Sequence, residues 1–185
     1  MSKAERTREH LRATALQLFV ERGYDQTTVA DIAATAGVTP MTFFRHFASK
    51  ERVVIDDPYD PAIAEAVRAQ PRELPVFERV RHGMIAAWDQ ISTAEDAELR
   101  RRLAIGAVHP GLRARMRENN ADTEAAIVDV LVADGVPRFE ATVAAAAVLG
   151  ALTAALLQWA TGQGPTSLGA AVAGALSVLG AGSGR

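Results

Sequence analysis

Apolar residues recur along this chain at spacings of three and four, and no convincing alternation at two interrupts them. Every predicted element is therefore a helix. Leu11, Ala15, Leu18 and Phe19 make an apolar stripe on a first helix from about Lys3 to Arg22, which Gly23 ends. Val29, Ile32, Ala33 and Ala36 mark a second, shorter helix behind Thr28 as N-cap. Gly37 supplies the left-handed turn that other residues resist. Thr39 caps a third helix with Pro40 at its first position, where a missing N–H costs nothing. Ser49 caps a fourth through about Asp56, and Pro58 stops it. Past the Pro- and Asp-rich break at 57–61, helices are predicted near 61–70, 75–92, 94–106, 110–134, 137–161 and 166–180. Pro61, Pro75, Pro110 and Pro137 stand at helix starts, and Gly135 and Gly162 follow helix ends. The pattern predicts an all-α chain. A small N-terminal three-helix domain (residues 1–57) precedes a larger helical bundle (58–185).

Composition narrows this picture. Hydrophobic residues make up 49% of 185 residues, enough for a sizeable core. There is no cysteine, which excludes disulfides, thiolate zinc sites and cysteine nucleophiles, and suits a reducing cytosol. The first ten residues are charged and lack an apolar h-region, so no secretory signal is expected. The net charge of −2 does not by itself point to nucleic acid. Residues 1–52 hold eight Lys/Arg against six Asp/Glu, and the remainder twelve against sixteen. DNA binding would have to rest on local placement of cations. Residues 141–160 form an apolar run with only Thr142, Thr153 and Gln158 polar. It is long enough to span a bilayer, but it is mostly alanine and lacks a polybasic flank. It reads as a buried helix of a soluble bundle, with no membrane partner.

The segment Thr27–Lys50 carries the most chemistry. Two short helices joined by a glycine turn, close behind a longer helix, are the layout of a helix-turn-helix. Its inward positions are small or aliphatic, and Phe43 and Phe47, four apart, would anchor the third helix to the first. The outward face offers Thr39, Pro40, Met41, Thr42, Arg45 and His46. By reach, Thr28, Thr42, His46 and Lys50 suit phosphate oxygens. Arg45 suits base readout, because its planar fork can bond guanine O6 and N7 together. Thr39, Pro40 and Met41 can touch thymine methyls. Arg6 and Arg8 are expected to reach an adjacent backbone.

In order, spacing and residue type, TTVADIAATAGV followed by TFFRHFASKERVV resembles the N-terminal domain of TetR/AcrR-type transcriptional regulators, over about residues 5–57. The resemblance implies a two-domain homodimer. Its small domain would bind a palindromic operator in double-stranded DNA, and its larger domain would sense a small-molecule effector. Such a protein would most often be a cytoplasmic repressor. By position, Thr28, Thr42, His46 and Lys50 fall on the family's phosphate contacts, and Thr39, Pro40, Met41 and Arg45 on its reading face. The chain departs from the pattern at Phe44, where tyrosine is common. The lost hydroxyl is worth about 1 kcal/mol. It departs again at Met41, where glycine is frequent.

In the larger domain, Phe77, Val80, Met84, Trp88 and Ile91 lie at helical spacing, a pattern that is more often core than ligand box. Leu99, Leu103, Leu112, Met116 and Ile127 can complete an apolar cavity. Met84, Trp88, Leu103, Leu112 and Met116 are the expected pocket residues, since flexible and aromatic side chains suit diverse ligands. The last two long helices are rich in small residues and are expected to pair two subunits. His82 and His109 read as solvated or capping residues, and no metal or cofactor is expected. No nucleophile–base constellation or phosphate loop points to an enzyme. The alternative reading is a dimeric small-molecule-binding module with a weak or inactive DNA-binding end.

Overall fold

A computed structural model of the chain describes residues 2–56, 60–89 and 93–180. Ile91 and the segment 57–59, which holds Pro58, lie outside them. The described residues form ten helices and no strand. They are α1 (Lys3–Arg22), α2 (Val29–Thr35), α3 (Pro40–His46), α4 (Lys50–Ile55) and α5 (Asp60–Arg68). α6 (Val76–Trp88), α7 (Thr93–Val108), α8 (Pro110–Ala133), α9 (Arg138–Ala160) and α10 (Leu168–Gly180) follow. α6 ends at Trp88, several residues before the sequence pattern suggests, and α7 runs on to Val108.

The local signals act as their chemistry requires. Thr28 caps α2 reciprocally with Asp31, and Thr39 accepts from the Thr42 amide at the head of α3. Gly37, between them, has φ +68°, a conformation a Cβ would strain. Ser49 occupies the N-cap position of α4 but makes no capping bond there, so that part of the expected cap is absent.

Two cores result. One joins Leu11, Ala15, Leu16, Leu18 and Phe19 of α1 to Ile32, Phe43, Phe47 and the α4 residues Val53, Val54 and Ile55. The other is built around α9, which packs against α10, α8, α6 and α7. By length and composition α9 could cross a membrane. Here its Ala141, Ala145, Val148, Leu152 and Trp159 are buried at the centre of the bundle. The two bodies are not separate. α7 touches α1 and α4, and its Ile105, with Leu112 of α8, belongs to the first core.

Gly83 lets α5 and α6 approach closely. A Cβ there would stand 2.6 Å from the Cα of Val67 and 2.8 Å from its nitrogen, both backbone atoms that cannot swing aside. Gly83→Ala should therefore cost about 1–3 kcal/mol, against the ~1 kcal/mol that alanine usually gains within a helix. Chemical denaturation checks this. An unchanged or raised midpoint would mean that α5 and α6 can part freely.

A buried ion pair ties α6 to the end of α8. The Arg79 guanidinium donates to Asp134 Oδ2 at 2.7 Å, and Arg72 reaches Oδ1 at 2.6 Å. Chiefly through the Arg79 hydrogen bond, the Asp134 carboxyl is held below its ordinary value of 3.8. A depressed folded-state pKa gives stability that is complete above the unfolded value. That stability is lost as pH falls through the folded one. Asp134→Asn should thus melt earlier than wild type at neutral pH, and the gap should close below about pH 4. A gap of constant size across that range would remove Asp134 from the acid response.

Candidate nucleic-acid interface and sensor cavity

The third helix, α3, is held from below and open above. Phe43 and Phe47 are buried, their rings 5.6 Å apart, and Phe47 lies under the Arg8 guanidinium at 4.3 Å. On the other side, Met41 is 72% exposed and Phe44 51%, with Thr39, Pro40 and Arg45 also exposed. Thr42, Arg45 and His46 share a shallow groove with Lys3, Ala4, Thr7 and Val38, so the start of α1 lies beside the outward face of α3. The sequence pattern did not single out Lys3 or Thr7. Only the packing of α1 on α3 brings them there.

Several of the cations and hydroxyls assigned to phosphate already have partners in the protein, among them the Thr42 hydroxyl, 3.1 Å from that of Thr39. The Thr28 hydroxyl donates to Asp31 Oδ2 at 2.5 Å, a bond that lowers the Asp31 pKa. The Lys50 ammonium donates to the carbonyls of Tyr24 (2.8 Å) and Thr27 (3.0 Å) and sits 4.1 Å above the Tyr24 ring. It clamps the α1–α2 turn and has one N–H beyond those two bonds for a phosphate. Arg8 corrects its expectation. It donates to the His46 carbonyl and, at 2.9 Å, to Asp56 Oδ2, so it is a strut joining α1 to the ends of α3 and α4.

His109 is a capping residue, as expected, and more. Its Nδ1 accepts from the Leu112 amide at the head of α8, while Nε2 lies 3.0 Å from Asp25 Oδ1. A proton on Nε2 satisfies both contacts. With the ring edge-on to Tyr24 at 4.8 Å, His109 links the α7–α8 corner to the turn that Lys50 clamps.

A cavity of about 80 Å³ opens where α4, α5, α6, α7, α8 and α9 meet. Met84, Trp88, Leu103 and Met116 line it, as does Leu99. Leu112 does not. It is buried in the core of the N-terminal body, because the first turn of α8 faces α1 and α4 and not α9. Ile127, further along α8, packs in the bundle core and also stands off the cavity wall. Sequence reasoning missed the α4 contribution, Val54 and Ile55, the α9 contribution, including Leu152 and Thr153, and Arg102. None of these lies on the Phe77–Trp88 stripe, the pattern that marked the pocket.

Comparison with known proteins agrees with this geometry. Residues 11–56 match the model for bacterial regulatory proteins of the tetR family, and residues 74–184 match the model for the MftR C-terminal domain. The chain is 36% identical over 142 residues to the HTH-type transcriptional regulator TcmR of Streptomyces glaucescens. That match covers 71% of this chain and 61% of TcmR. The chain thus spans about three fifths of that relative's length. Among solved structures, the fatty acid degradation regulator FadR of Bacillus halodurans superposes with a TM-score of 0.62 at 21% identity, covering 97% of both chains. NalD of Pseudomonas aeruginosa, the secondary repressor of the MexAB-OprM multidrug efflux pump, gives 0.62 at 20% identity over 98% of both. At those identities the superpositions speak for the fold. Both halves of the sequence and the whole arrangement of helices agree: the chain belongs to the TetR family of bacterial regulatory proteins.

Proposed function

We propose that this chain is a DNA-binding transcriptional repressor released from its operator by a small apolar or amphipathic effector. The observation that carries this reading is the division of α3 into a buried aromatic anchor and an outward face on which Thr39, Pro40, Met41 and Arg45 are exposed and Thr42 and His46 half-buried. A helix locked in that way can enter a major groove without rearranging. The relatives point the same way, since TcmR is a transcriptional regulator and NalD a repressor. Residues 1–57 act as the DNA-binding unit and 58–185 as the sensing and pairing unit. The protein works in the cytoplasm, where bacterial DNA lies.

A homodimer completes the reading. On α9, Phe139 is 79% exposed and Val143 52%. Their face continues through Ala146, Gly150 and Ala154. On α10, Val178 is 77% exposed beside Ala170, Ala173 and Gly174. These small, apolar, outward stripes let helices of two subunits pack closely. Pairing would set two recognition helices about one DNA turn, roughly 34 Å, apart.

The test is selection of duplexes from a random pool, followed by gel-shift across a salt series. A palindromic consensus bound by a dimer is expected, with affinity falling steeply as salt rises. Sequence-indifferent binding at every salt concentration would sink the regulator reading and favour a small-molecule-binding module instead.

A further inference from the structure

The sensor cavity is not uniformly oily. Most of its wall is aliphatic, but it also holds polar groups, and among its described lining residues the one charged group is Arg102. The Trp88 indole Nε1–H is buried and has no hydrogen-bond partner. The Arg102 side chain, 4% exposed, also lines the cavity, as do the carboxamides of Asn119 and Asn120. Asn120 Nδ2 already donates to Thr153 Oγ1 at 2.8 Å. Among the described residues no carboxylate lines the cavity. The wall therefore carries a positive charge and an unpartnered donor; the oxygens of its Asn and Thr side chains can accept, but no carboxylate is there to neutralise a cation. A buried N–H without an acceptor is unfavourable, and a ligand acceptor removes that cost. A positively charged ligand would have to shed its water beside Arg102, which is worse still.

The size and neighbours of the cavity say how such a ligand would be felt. At about 80 Å³ it is smaller than the ~300–1,000 Å³ of a drug-sized site. Entry must push the walls apart, with the pliable Met84 and Met116 giving way first. Two wall residues, Val54 and Ile55, belong to α4, and Arg102 Nε donates to the Val54 carbonyl at 3.1 Å. A molecule that engages Arg102 thus acts directly on the helix that follows the recognition unit.

We propose that the effector is an apolar molecule whose polar end is a hydrogen-bond acceptor without positive charge, such as a carboxylate, phenolate or conjugated carbonyl, and that Trp88 and Arg102 recognise that end. This rests on the reading of the bundle as an effector sensor. The class excludes lipophilic cations and hydrocarbons lacking an acceptor.

Four probes that share one ring system test the class: 2-naphthoate, 2-acetylnaphthalene, naphthalene and 2-naphthylmethylammonium, each titrated calorimetrically into the full chain. The acceptor-bearing pair should bind at least about tenfold tighter than the ammonium. Trp88→Phe should weaken 2-acetylnaphthalene by about tenfold while changing naphthalene less than twofold. Arg102→Gln should weaken 2-naphthoate more than 2-acetylnaphthalene. Equal or tighter binding of the ammonium overturns the proposal, as does an equal loss for acetylnaphthalene and naphthalene in Trp88→Phe. Failure of all four to bind overturns it too. The wild-type series needs no variant to fold. Release of a selected duplex is read in parallel. Duplex retained while naphthoate is bound would sink the regulator reading and leave the ligand class standing. Release by the ammonium alone would do the reverse.

Discussion

Phe43→Ala should destabilise the N-terminal body by about 3–5 kcal/mol and abolish operator binding with it. The ring is fully buried, edge-on to Phe44 and tilted against Phe47, each 5.6 Å away. It joins α3 to a core made of Leu11, Ala15, Leu16 and Phe19 from α1 and Ile32 from α2. Few other side chains of the short α3 are buried, since the rest of its surface faces outward. Whatever part of the hole the neighbours leave open adds a cavity term to the lost transfer energy. Urea unfolding followed by circular dichroism, with operator affinity measured in parallel, checks both parts. A loss under about 1 kcal/mol, the scale of an ordinary point substitution, would show that α3 has another anchor. Intact DNA binding alongside a large stability loss would show that α3 is held by DNA itself.

Arg45→Ala and Lys50→Ala should separate reading from holding. Arg45 is exposed on the outward face of α3, in the groove it shares with Lys3. Losing a bidentate contact to a base costs about 1–3 kcal/mol of discrimination per half-site. A palindromic operator engages two half-sites, so preference for the selected sequence should fall steeply while binding to arbitrary DNA stays close to wild type. Lys50 is different. Its ammonium clamps the Tyr24 and Thr27 carbonyls, and Thr27 precedes the α2 cap. Removing it loosens the turn and deletes one phosphate contact together. Lys50→Ala should weaken every duplex alike, lower the salt slope by about one per protomer, and reduce thermal stability. Equal effects of both variants on all sequences would erase the assignment of bases to Arg45 and phosphates to Lys50.

The elements themselves were legible because their signals are local. A cap, a glycine with positive φ or a proline at a first turn involves neighbours in sequence, so Thr28, Gly37, Thr39 and Pro40 mark α2 and α3 without knowledge of anything distant. The pairing of Phe43 with Phe47 follows from a spacing of four on one helix. Long-range partners are another matter. Arg8 lies 48 residues from Asp56, Arg79 55 from Asp134, and His109 84 from Asp25. No periodicity links such positions. Arg8 and Lys50 therefore looked like free cations for DNA until the fold gave them carbonyls and a carboxylate.

Leu112 shows the same limit from the apolar side. Its place on a helical stripe says that it is buried, and it is. Which core receives it depends on how α8 crosses between two bodies, and that crossing puts its first turn on the N-terminal core. By itself, then, the sequence determined the helices, their order, the helix-turn-helix and the outward face of α3. Each of these rests on contacts within a turn or two of chain. Only the tertiary structure decided which side chains meet across the two bodies. It placed α4 against the cavity, tied Lys50 down, and set Arg102 between that cavity and α4. Those outcomes depend on how whole helices cross, and crossing is fixed by the shapes of surfaces far apart in sequence.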